Sequence, residues 1–78
     1  MTEPTRQTHG SPAERAWVEH SQRVFDIAYR LTGSITEAED IVQETSMRLM
    51  TADFDSIDDV LGWLVTVSSR LSVDRLRL

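Results

Sequence analysis

Apolar residues recur along this chain with the period of a helix, and no stretch shows the apolar–polar alternation of a strand. Residues 1–10, Met-Thr-Glu-Pro-Thr-Arg-Gln-Thr-His-Gly, offer nothing to bury and read as a disordered amino-terminal tail. Ser11-Pro12-Ala13-Glu14 then combines a capping hydroxyl, a proline preset for the first helical position, and a glutamate able to return a bond to the cap. A first helix is therefore predicted from Pro12, with Ala16, Trp17, Val24, Ile27, Ala28 and Leu31 at helical spacing, Phe25 and Tyr29 alongside, and Gly33 as its stop. Two overlapping capping boxes, Ser34 with Glu37 and Thr36 with Glu39, open a second helix. Ala38, Ile41, Val42, Thr45, Ser46 and Leu49 share its inner face; Asp40, Gln43, Glu44 and Met47 share the opposite one. Thr51 to Asp55 is unpatterned and reads as a loop. Ser56-Ile57-Asp58-Asp59 supplies a further cap, predicting a third helix from about Ile57 to the end. Val60, Leu64, Val67, Leu71 and Leu78 form its inner stripe, flanked by Leu61 and Trp63, and Thr66, Ser69, Arg70, Val73 and Arg77 its outer stripe. The expected fold is an all-α three-helix bundle over residues 11–78.

Composition narrows what such a bundle can do. With no cysteine and two scattered histidines, His9 and His20, the chain offers neither a disulfide nor metal-ligand spacing, and no cofactor is expected. The glycines Gly10, Gly33 and Gly62 form no phosphate loop, and nothing marks an activated nucleophile, so an enzyme is not expected. The longest apolar run, Leu64-Val65-Thr66-Val67, is far below the roughly 20 residues that span a bilayer. The chain reads as soluble and cytoplasmic.

A formal net charge of −5 argues against a general nucleic-acid binder. Its distribution is uneven. Residues 36–59 carry eight acidic side chains against the single Arg48, whereas residues 63–78 carry Arg70, Arg75 and Arg77 against Asp74. An acidic middle and a basic end suggest two surfaces with different partners, although by charge alone both are equally compatible with solvated faces.

Three segments carry more: Ala38-Glu39-Asp40-Ile41-Val42-Gln43-Glu44, then Trp63-Leu64, then Leu71-Ser72-Val73-Asp74-Arg75-Leu76-Arg77. In this order and spacing they resemble region 2 of a bacterial extracytoplasmic-function (ECF) sigma factor of the sigma-70 family, over about Val24 to Leu78. The resemblance implies a fragment that ends where the family continues into a linker and a second, region 4 domain. It also implies two binding faces. Asp40, Gln43 and Glu44, with Met47 beside them, match the positions that grip the clamp helices of the largest subunit of core RNA polymerase. Phe54, Trp63, Thr66, Ser69, Arg70 and Arg77 belong to the loop and helix that meet the non-template strand of the promoter minus-ten element and hold an extruded base. Trp63 flanks the apolar stripe and is read first as core; Phe54 is open to either role. An anti-sigma factor or a carboxyl-terminal regulatory domain is a further partner in such systems, and a membrane is not.

The chain departs from the family pattern at two points. Ser46 stands where an aromatic commonly follows the Gln-Glu pair, which removes a large core side chain and is expected to loosen the packing of the second helix on the third. Ser69-Arg70-Leu71 stands where Arg-Asn-Leu is common, so base preference does not carry over at Arg70. The alternative function is a small helical interaction domain, or a regulator that mimics sigma at the clamp without touching DNA. A helix-turn-helix repressor fragment is disfavoured because no short recognition helix follows a tight turn.

Overall fold

The structure, a computed structural model, describes residues 10–77. It contains α1 (Pro12–Thr32), α2 (Ile35–Thr51), a short 3-10 turn (Phe54–Ser56) and α3 (Val60–Leu76), with no strand among the described residues. The tail over residues 1–9 and the inner-stripe position assigned to Leu78 lie outside the described residues. Each helix packs on the other two, giving the all-α bundle.

The ends of α1 follow from local chemistry. The Ser11 hydroxyl accepts from the Glu14 amide at 3.1 Å while the Glu14 carboxylate accepts from the Ser11 amide at 2.8 Å, satisfying two donors that the first turn would otherwise orphan. Gly33 ends the helix in the left-handed region, φ 70°, and its amide donates to Tyr29 at 2.8 Å. Of the two capping boxes offered at the start of α2, Ser34 is the one used, accepting from the Glu37 amide at 3.2 Å. Glu37 does not close a box; its carboxylate reaches Arg75 of α3 instead.

The third helix starts later than Ile57. The Ser56 hydroxyl turns back to the Asp53 carbonyl at 2.8 Å, and the Ile57 amide donates to Phe54 at 3.0 Å. Phe54 and Ile57 both pack on the core, so the chain closes a 3-10 turn there before it can enter an α-helix. Asp59 caps α3 by accepting from the Gly62 amide at 3.0 Å. Asp59→Ala is therefore expected to cost about 1 kcal/mol, read as a lower urea midpoint, whereas Ser56→Ala should leave it nearly unchanged.

The interior has two clusters. Ala13, Val24, Leu49 and Leu64 form the larger, with Trp17, Val42, Phe54, Ile57, Val60 and Trp63 packed on it; Ala28, Ala38 and Ile41 form the smaller, with Phe25 and Leu71 against it. The inner face of α2 is as expected, with Ala38, Ile41, Thr45 and Leu49 buried. Leu31 is exposed, however, and Ala13 is part of the core although the sequence pattern did not select it. On α3 the fully buried positions are Leu64, Ser68 and Ser72, while Val60, Val67 and Leu71 are half-buried. The two serines follow Leu64 at one and two turns. Their hydroxyls donate to the Leu64 and Ser68 carbonyls at 2.7 Å, which satisfies them within their own helix and leaves a small side chain toward the interior. Thr45 does the same toward Ile41 at 2.7 Å.

Ser46 is half-buried and has no side-chain hydrogen bond among the described residues. The space beside it is bounded by Trp17, Val42, Gln43 and Met47, so it opens between α1 and α2.

Candidate functional site

The outer face of α2 is exposed as its periodicity required. Asp40 and Gln43 are open to solvent, Glu44 is half-buried, and Met47 keeps 63% of its surface exposed. Its thioether is an apolar group open to solvent beside the carboxylates. The Glu44 carboxylate accepts from Arg48 one turn on, at 3.1 Å. Asp40 lies 3.8 Å from the Arg75 guanidinium of α3, which is held more closely by Glu37 at 2.6 Å. These pairs are exposed and individually weak, so the carboxylates remain available to a better-placed cation.

Two depressions adjoin this face. One, of about 540 Å³, runs between Ser21, Gln22 and Phe25 of α1 and Glu39, Asp40, Val42 and Gln43 of α2. The other is the space beside Ser46, bounded by Trp17 and Met47, and Val42 and Gln43 border both. The residues contributed by α1 were not identified from the sequence, because a groove between helices is a property of their pairing and no local pattern encodes it.

The α3 surface is built differently. Ser69, Arg70, Val73, Asp74 and Arg77 surround a shallow depression of about 310 Å³, with Thr66 exposed and Ser69 half-buried. Arg70 and Arg77 make no ion pair among the described residues. Arg75, by contrast, turns toward α2. At about 100° per residue it lies roughly 140° from Arg70 and 160° from Arg77 around the helix, so the basic end is divided between two sides of α3. Phe54 and Trp63 are each half-buried on the larger core cluster, and only the remaining ring surface could meet a ligand. The structure thus gathers Asp40, Gln43, Glu44 and Met47 on α2, and Ser69, Arg70 and Arg77 on α3, while Phe54 and Trp63 pack half-buried on the larger core cluster. No helix is long and apolar enough to cross a membrane among the described residues.

Comparison with known families finds sigma-70 region 2 over residues 17–78, an extent that begins at Trp17 rather than near Val24. The chain is 44% identical over 66 residues to a probable ECF RNA polymerase sigma factor, SigI, of Mycobacterium tuberculosis, covering 85% of this chain and 23% of that protein. It is 50% identical over 56 residues to the ECF RNA polymerase sigma factor SigJ of Mycobacterium tuberculosis, 72% of this chain and 18% of the relative. With SigW of Bacillus subtilis, also an ECF RNA polymerase sigma factor, identity is 33% over 61 residues, 74% of this chain and 32% of the relative. The chain therefore spans about a fifth of the length of the mycobacterial relatives it matches. No solved structure gives a significant match.

Proposed function

Because the chain belongs to the sigma-70 region 2 family, as an ECF-type member, we propose that it docks on core RNA polymerase through α2 and engages promoter DNA through α3. One observation carries this reading: two exposed polar faces of opposite character sit on different helices and share no residue. The α2 face offers carboxylates, an amide and an open methionine, which suits a basic helical partner through charge-assisted hydrogen bonds. The α3 face offers two arginines without ion-pair partners among the described residues and the hydroxyls of Thr66 and Ser69, the donor types that hold phosphate and sugar.

The domain works by positioning rather than by chemistry. A surface with two arginines on a chain of net charge −5 binds free duplex weakly, with a dissociation constant no tighter than about 10⁻⁴ to 10⁻⁶ M at physiological salt. Docked on polymerase, the same contacts act at the high effective concentration of a tethered strand. Capture of the minus-ten non-template strand then needs only a phosphate anchor and a shallow surface for an unstacked base.

The test is open-complex formation by holoenzyme containing the full-length sigma factor. Arg77→Ala is expected to lower it to a similar extent at every promoter and to flatten its salt dependence, as loss of a phosphate contact would. Arg70→Ala is expected to change the ranking of minus-ten sequences by about 1–3 kcal/mol at the base it meets. Unchanged yield and ranking in the double variant would remove α3 from the DNA interface. Polymerase binding without promoter-directed transcription would favour a regulator that mimics sigma at the clamp.

A further inference from the structure

The last turn of α3 has little to hold it. Among the described residues Ser72 is the last buried position and Leu71 the last side chain packed on a core cluster; Val73, Asp74, Leu76 and Arg77 are all exposed. The Arg77 amide closes the helix through a bond of 3.3 Å to the Asp74 carbonyl, beyond the usual range for an amide donor. A helix end with open amides and no apolar anchor comes apart at little cost in free energy. Arg75 is the exception. Its Nη1 donates to the Glu37 carboxylate at 2.6 Å and lies 3.8 Å from that of Asp40, and no other side chain over residues 73–77 makes a hydrogen bond or ion pair among the described residues. The pair joins the first turn of α2 to the last turn of α3, where each charge also has the sign that its own helix dipole favours.

We propose that Arg75 is a positioning residue: by holding Glu37 it fixes the last turn of α3 against α2, and so presents Arg77, on the far side of that turn, to the promoter strand. The proposal rests on the reading of α3 as the DNA-facing helix, and it gives a role to the one arginine of the basic end that this reading leaves aside. Arg75 and Arg77 stand about 160° apart around the helix axis, so a grip on one side of the turn directs the other side outward. The same geometry sets Arg75 apart from a phosphate contact. Its charge is met by Glu37 with Asp40 beside it, and a phosphate approaching there would face two carboxylates. Both partners are partly exposed, so the pair adds little to global stability. Opening a single terminal turn involves energies just as small, and on that scale one ion pair shifts the population of the closed turn.

Removing either partner of the pair separates positioning from contact. In holoenzyme containing the full-length sigma factor, Arg75→Gln and Glu37→Gln are each expected to lower open-complex formation by about two- to fivefold, and the double variant by no more than either alone. Amide hydrogen exchange over residues 73–77 should quicken in both single variants, while the melting temperature and the affinity for core RNA polymerase stay close to wild type. Arg75→Lys, which keeps a cation within reach of Glu37, should recover most of the yield. Wild-type yield in Glu37→Gln beside a loss in Arg75→Gln would mean that Arg75 meets DNA itself, and losses that add in the double variant would mean that the two residues act separately; either result overturns the proposal. So would a fall in melting temperature or core affinity large enough to account for the lost yield. The Arg70→Ala, Arg77→Ala double variant is run beside them. A loss there with wild-type yield in both Arg75→Gln and Glu37→Gln would overturn the proposal and leave the α3 reading standing, whereas a silent Arg70 and Arg77 double variant would overturn that reading and the proposal with it.

Discussion

Reversal of both Asp40 and Glu44 to arginine should weaken binding to core RNA polymerase by about 4 kcal/mol, on the order of a thousandfold. Each reversal turns an attraction toward a basic partner into a repulsion, at about 2 kcal/mol apiece when the sites act independently. The bundle should survive. Asp40 is exposed and Glu44 only half-buried, and the contacts they lose, to Arg75 at 3.8 Å and to Arg48 at 3.1 Å, are surface pairs contributing at most about 1 kcal/mol each. The loss should shrink as salt is raised. Competition against the wild-type chain at moderate ionic strength, with circular dichroism confirming the fold, decides the matter; equal affinity would take α2 out of the interface.

Leu64→Ala should cost about 3 kcal/mol of folding stability. Leu64 is fully buried in the larger cluster with Ala13, Val24 and Leu49, so truncation removes both apolar transfer energy and the contacts of every neighbour that cannot collapse inward. A domain of this size has few kilocalories in reserve, and the melting temperature should fall by roughly 12–24 °C. Leu76→Ala provides the contrast, because Leu76 is 54% exposed and its loss should be nearly silent. Similar melting of the two variants would mean that the core does not run through Leu64.

The elements that were legible in the sequence were those whose ends are decided locally. Ser11, Pro12, Glu14 and Gly33 each act within one turn of the bond they make, and the structure uses them as their chemistry dictates. The start of α3 was less legible, because Ser56 and Asp59 are both competent caps. The choice between them falls to Phe54 and Ile57, whose packing on distant residues is not written in the loop. Burial of Ser68 and Ser72 was missed for a related reason: polarity marks them as surface residues, while their hydroxyls are satisfied by their own helix. On the site side, hydrophobic period alone exposes Asp40, Gln43, Met47, Arg70 and Arg77. It did not reveal that Arg75 pairs with a glutamate 38 positions earlier in the chain, nor that Phe25 borders the same depression as Asp40 and Trp17 the one beside Met47.

The serines inside α3 also limit how this domain can diverge. At positions 68 and 72 the helix admits short side chains, and because each hydroxyl is bonded within its own turn, exchange with alanine removes a satisfied group and should be tolerated. Lengthening the side chain is a different matter: with no exposed surface there, a leucine has nowhere to go except between the helices. Sequence drift at these sites is thus confined by length rather than by polarity, and a substitution that violates it would tilt α3 and with it the arginines it carries.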